Sequence, residues 1–126
     1  MIDDPRRRIL IADDDPSIRR MLSLSLEREG YRTAGACDGG EALEAMRAGE
    51  ADLVLLDLMM PGVTGWDVLT ARAAAPELRK IPIIVITAER GDRVASIPAD
   101  DLCALLMKPF ELEKLRDMVK ACLAAA

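Results

Sequence analysis

Residues 9–20, "ILIADDDPSIRR", run from four apolar residues into three consecutive aspartates and then a proline. Ile9–Ala12 lacks the polar alternation of a strand with one wet face. It therefore reads as part of a strand, Arg8 to Asp13, covered on both sides as in a parallel sheet. Asp15 stands where a carboxylate caps a helix start, and Pro16 fits the first helical position, where its missing N–H has no partner to lose. Ile18, Met21, Leu22 and Leu26 then share one helical face, and Gly30 closes the helix. A doubly buried strand, a tight turn and an amphipathic helix together open a βαβ unit.

The same grammar recurs along the chain. Tyr31 to Ala36 reads as a short second strand, and Asp38 with Glu41 as a capping-box-like start for a helix reaching about Gly49. Leu53, Val54, Leu55 and Leu56 form a third strand that stops at Asp57. After a Pro61-Gly62 turn, a helix runs from about Gly65 to Ala75 and is ended by Pro76. Ile83 to Ile86 is a fourth strand ending at Thr87, and Ala104 to Met107 a fifth ending at Lys108. The last helix, from Glu111, carries Leu112, Leu115, Val119 and Cys122 on one stripe. Between the last two strands, "ERGDRVASIPADDLC" (89–103) has few apolar residues, and Pro98 cannot continue a helix. The fourth helix is therefore predicted to be short or irregular.

A chain of 126 residues with 51% hydrophobic residues, no repeat and no linker reads as a single domain, 1–126. A formal charge of −5 argues against direct contact with nucleic acid, which needs a basic face. Neither a cleavable leader nor a span of about 20 apolar residues is present, so the reading is cytoplasmic with no membrane contact. Cys37, Cys103 and Cys122 lack C-x-x-C spacing and no histidine occurs. Zinc and a disulfide framework are unsupported, and the cysteines read as reduced, mostly buried thiols.

The chemistry gathers at the strand ends: Asp13 and Asp14, Asp57, Thr87 and Lys108. In an open parallel sheet these ends share one edge, where ligands bind. Taken singly, each has an ordinary structural use as a turn, cap or solvated charge. Jointly, three neighbouring carboxylates repel by about 1 kcal/mol per pair in water, and more when shielded. Repulsion alone makes neutralising Asp13 stabilising, and a divalent cation is the natural compensation. Mg²⁺ suits an all-oxygen set that leaves room for water and phosphate. Without histidine, the plausible nucleophile is a carboxylate; Mg²⁺, Lys108 and the Thr87 hydroxyl then suit the equatorial oxygens of a transferring phosphoryl group.

With "ILIADDD" at 9–15, "LVLLDLMMPG" at 53–62, "IPIIVITA" at 81–88 and "MKPF" at 107–110, the chain resembles the CheY-like receiver domain of bacterial two-component response regulators. The resemblance implies a flavodoxin-like α/β fold, with a five-stranded parallel sheet of order 2-1-3-4-5 and helices on both faces. It implies that Asp57 is the phosphoacceptor. It also implies that Asp14, Asp57 and the backbone carbonyl of Met59 bind Mg²⁺ directly, with Asp13 acting mainly through water. Thr87 and Lys108 would contact the phosphoryl group, and a cis Lys108–Pro109 peptide would aim the lysine inward. The implied donor is a histidine kinase or histidine phosphotransfer protein. Output passes to an unidentified downstream protein, with a homodimer as a further candidate assembly. The domain would be a stoichiometric acceptor, its turnover limited to slow loss of its own phosphate. One departure is Leu105, where receivers typically carry Tyr or Phe as a switch residue. That departure keeps a phosphorylation-independent interaction module in view. An Asp-nucleophile phosphatase fits less well, because its D-x-D second acid would fall on Met59.

Overall fold

Leu53–Leu56 (β3) and Ile83–Thr87 (β4) are buried along their whole length, as two strands covered on both faces must be. Beside them lies Arg8–Ala12 (β1), and the edges are Arg32–Ala36 (β2) and Ala104–Met107 (β5). In this computed structural model, which describes residues 4–126, the strands form one parallel sheet of order β2-β1-β3-β4-β5. This is the flavodoxin-like order that the motifs imply.

Alternate residues of each strand point to opposite faces, so the strands supply two cores. Ile9, Ile11, Leu53, Leu55, Ile84 and Ile86 pack beneath Pro16–Arg28 (α1) and the last helix, Leu112–Ala125 (α6). Leu10, Val54, Leu56, Ile83 and Val85 face Gly39–Arg47 (α2) and Gly65–Ala74 (α3) on the other side. Truncating a buried Leu or Ile among these to Ala costs about 2–5 kcal/mol.

The helix starts are set by local chemistry. Asp15 Oδ1 accepts from Ser17 N–H at 2.8 Å, with Pro16 in the first turn. Asp38 Oδ1 accepts from Glu41 N–H at 2.8 Å, while Glu41 Oε1 takes the Cys37 N–H at 2.7 Å, one residue earlier than a capping box would. Pro76 does more than end α3: it opens a separate one-turn helix, Pro76–Arg79 (α4). The segment before β5 has only the turn Asp92–Ala95 (α5) and a 3₁₀ turn at Ala99–Asp101, matching the predicted short fourth helix.

Arg72 of α3 is buried, and its guanidinium reaches three backbone carbonyls: Arg79 O at 2.7 Å, Ile81 O at 2.9 Å and Asp101 O at 3.3 Å. Burial lowers its pKa from the usual arginine value, and the charge of nearby Asp101 opposes that shift.

The expectation of three reduced, mostly buried thiols is corrected. Cys103, just before β5, and Cys122, on the buried face of α6, form a disulfide with a Cα separation of 6.1 Å, and Cys37 is exposed. The sheet edge and the helix laid across it bring together cysteines 19 residues apart, which no local spacing announces. Among the described residues, no helix is long and apolar enough to cross a membrane.

Candidate functional site

The register places the ends of the three central strands side by side: Ala12 pairs with Leu56, and Leu56 with Val85. The next residues, Asp13 and Asp57, leave the sheet on its carboxyl edge. Asp13 N–H still bonds Ala36 O at 3.1 Å, and Asp57 N–H bonds Ala12 O at 2.9 Å, so both carboxylates hang from ladder-fixed backbone. Both are buried, whereas Asp14 is exposed.

Lys108 approaches from the end of β5. Its N–H bonds Thr87 O at 2.9 Å, and its ammonium donates to Asp13 Oδ2 and Asp57 Oδ2, each at 2.8 Å. The Lys108–Pro109 peptide bond is cis. Burial by itself would lower the Lys108 pKa. The hydrogen bonds to Asp13 and Asp57, and the charges of both, outweigh it and hold the pKa above the ordinary lysine value.

The remaining oxygens are also engaged. Asp13 Oδ1 accepts from Asp15 N–H at 2.9 Å, and Asp57 Oδ1 from Met59 N–H at 3.0 Å. Removing the charge of Asp13 therefore forfeits a charge-assisted hydrogen bond, which offsets the gain expected from repulsion alone.

Carboxylate oxygens of Asp13, Asp14 and Asp57 lie within 4.8 Å of one another. An octahedral Mg²⁺ site with oxygens at about 2.1 Å spans about 4 Å between opposite ligands, so this hard-oxygen set suits that ion in type and size. Three carboxylates face one ammonium here, so the cluster keeps an uncompensated negative charge that a divalent cation would neutralise.

Thr87 is fully buried, but its hydroxyl accepts from Glu89 N–H at 3.1 Å, on the outgoing loop. Leu105, on β5, pairs with Val85 of β4 and is half-buried against the α2/α3 core. Met59 has an exposed side chain.

Several residues that shape the site were not singled out by sequence reasoning. Arg19 of α1 donates from Nη1 to the Asp13 carbonyl at 2.6 Å. Arg90 Nη2 bonds the Lys108 carbonyl at 3.0 Å, tying the loop after β4 to the loop after β5. Gly65 begins α3 against the backbone that follows β3: a Cβ there would run into the Asp57 carbonyl oxygen and Leu58 Cα. The available signal was a glycine directly after the capping Thr64, since glycine is a poor helix former and its place there calls for a steric reason.

Residues 9–120 match the family described as response regulator receiver domain. The DNA-binding response regulator MtrA of Mycolicibacterium smegmatis is 43% identical over 124 residues, covering 95% of this chain and 52% of that protein. The chain thus spans about half the length of the curated relatives it matches. A CheY-like response regulator receiver domain protein from Methanospirillum hungatei superimposes with a TM-score of 0.84 at 29% identity, covering 95% of each chain. The response regulator TrrA of Thermotoga maritima, solved in complex with Mg²⁺-BeF, gives a TM-score of 0.81 at 34% identity, covering 92% of this chain and 98% of that one.

Proposed function

The chain belongs to the response regulator receiver domain family, and on that premise we propose that Asp57 accepts a phosphoryl group in a Mg²⁺-dependent switch. The observation that carries this reading is the Lys108 ammonium at 2.8 Å from both Asp13 and Asp57, with Asp14 completing a group of carboxylates. A nucleophilic carboxylate, an acidic cation site and a fixed positive charge are what phosphoryl transfer to aspartate requires.

In the proposed step an Asp57 carboxylate oxygen attacks phosphorus in line. The N–P bond of a phosphohistidine breaks, its electron pair stays on the imidazole nitrogen, and solvent supplies the proton that nitrogen takes up. Bound Mg²⁺, held by Asp14, Asp57 and the Met59 carbonyl with Asp13 behind water, would neutralise charge on the phosphoryl oxygens. The Mg²⁺-BeF complex of the Thermotoga relative supports that choice of ion. Lys108 passes from Asp57 to a phosphoryl oxygen, and the Thr87 hydroxyl turns toward another.

The donor is a histidine kinase or histidine phosphotransfer protein in the cytoplasm. A largely apolar hollow of about 400 Å³ beside the site, lined by Ile18, Met21, Ala88, Lys108, Pro109 and Phe110, suits contact with a protein donor. Output goes to a downstream protein or a second copy. Direct contact between this acidic domain and DNA is not part of the reading, and the DNA binding named for the mycobacterial relatives remains theirs.

The test is incubation with a small acyl phosphate and Mg²⁺, followed by intact mass and peptide mapping. One phosphate on Asp57, absent from Asp57→Asn, supports the switch. Phosphate on another residue at the parent rate overturns the assignment, and rapid continuing consumption of donor would make the domain a phosphatase.

A further inference from the structure

Leu105 leaves the switch position on β5 without a ring, yet the only tryptophan of the chain stands on the other side of the same loop. Trp66 lies in the first turn of α3, half-buried, and its indole Nε1–H donates to Glu89 Oε1 at 3.0 Å. Glu89 N–H in turn bonds the Thr87 hydroxyl at 3.1 Å. Over a face of the ring, the Arg93 guanidinium of α5 sits 4.0 Å from the ring centroid, a cation–π contact. An unbroken series of contacts therefore runs from Thr87 through Glu89 and Trp66 to Arg93. Trp66 is tied to the acceptor by a second route, because its neighbour Gly65 bonds Leu58 O at 3.2 Å and packs on the Asp57 carbonyl.

We propose that Trp66, rather than residue 105, carries the phosphorylation state of Asp57 to α5. The proposal rests on the reading of Asp57 as phosphoacceptor and adds how that site is read out. A modification shifts a conformational equilibrium only through contacts that differ between two states. The Thr87–Glu89 hydrogen bond is such a contact. When the Thr87 hydroxyl turns to a phosphoryl oxygen, its hold on Glu89 N–H loosens. The group arriving on Asp57 also adds about one negative charge to that of the carboxylate, beside the loop that carries Glu89. Both effects draw Glu89 away from the site and release the indole. The element that responds is cheap to move: α5 is a single turn, followed by Pro98 and a 3₁₀ turn. A groove of about 310 Å³ between Trp66, Leu69, Ala73, Arg93, Ile97 and Pro98 changes shape as ring and guanidinium shift, so the state of a buried carboxylate becomes a surface feature.

The single indole N–H gives one resonance, which makes the test direct. The full chain, ¹⁵N-labelled, is titrated with Mg²⁺ and beryllofluoride, and phosphate uptake from an acyl phosphate is measured in parallel by intact mass. The expected result is movement of the Trp66 indole resonance together with the amides of Glu89, Arg93 and Ile97, while the Leu105 amide stays in place. Trp66→Phe keeps a ring but removes the donor. It should take up phosphate and shift at Glu89, but lose the response at Arg93 to Ile97. An indole resonance that stays still in a protein that does gain phosphate overturns the relay alone. A Trp66→Phe variant with the full response at Arg93 to Ile97 does the same. A parent that gains no phosphate on Asp57 overturns the phosphoacceptor reading and the relay with it.

Discussion

Lys108 and Asp57, 51 residues apart in the chain, meet through a 2.8 Å hydrogen bond between ammonium and carboxylate at the carboxyl edge of the sheet. The same ammonium holds Asp13, so two of the three clustered carboxylates share one cation.

Lys108→Met keeps much of the side-chain bulk and removes the charge. Asp13 and Asp57, both buried, would then face each other without a cation, at a cost of about 2–4 kcal/mol of cation-free stability at neutral pH. Millimolar Mg²⁺ should raise the melting temperature of this variant more than that of the parent. Thermal melts with and without Mg²⁺ check both; an unchanged cation-free melting temperature would count against the bridge.

Gly65→Ala places a methyl group against the Asp57 carbonyl and Leu58 Cα, both backbone atoms of the segment that leaves β3. Because backbone cannot rotate aside, α3 must back away. A loss of about 1–3 kcal/mol in urea unfolding and slower phosphate uptake should follow. A parent-like urea midpoint would show that α3 has room to spare.

Reduction of the Cys103–Cys122 disulfide should lower stability by about 3 kcal/mol, since the bond closes a loop 19 residues long. Thiol titration of the denatured, oxidised protein should find only Cys37 free, and reduction should expose all three cysteines. Three reactive thiols in an oxidised, unreduced sample would refute the pairing.

Asp52 precedes β3 and accepts from Arg8 N–H at 2.8 Å as well as from the Arg8 guanidinium. Burial pushes its pKa up, but the Arg8 contacts outweigh that and hold it below the usual carboxylate value. A carboxyl whose folded pKa is depressed contributes stability that is present above its unfolded pKa of about 3.9 and lost as pH falls through the folded value. Asp52→Asn should therefore cost about 1 kcal/mol at neutral pH, with the gap closing below about pH 4. A gap that persists unchanged into strong acid would assign the effect to something other than charge.

The sheet was legible because its strands are apolar runs that stop abruptly at polar residues, so Asp13, Asp57 and Lys108 marked their own places. The Asp15 cap and the weak segment before β5 were readable for the same reason: Pro16 and Pro98 act locally. What stayed hidden depends on tertiary geometry. Pro76 could equally end one helix or begin another, and Cys103 meets Cys122 only once α6 lies across β5. Gly65 needs the Asp57–Leu58 backbone beside it to explain itself. The Trp66–Glu89 bond joins two elements that no periodicity relates.

Arg72 bears on time as well as structure. The stretch between β4 and β5 makes few helical hydrogen bonds of its own, and from beneath it is held at Asp101 by this buried guanidinium. Amide protons there should exchange through small local openings, whereas those of β1, β3 and β4 should exchange only when the whole domain comes apart. Two clocks are thus expected, a fast one in the segment beside Trp66 and a slow one in the strands that carry the carboxylates. Substituting Arg72 with a shorter cation that cannot span three carbonyls would quicken the first toward the rate of a free loop.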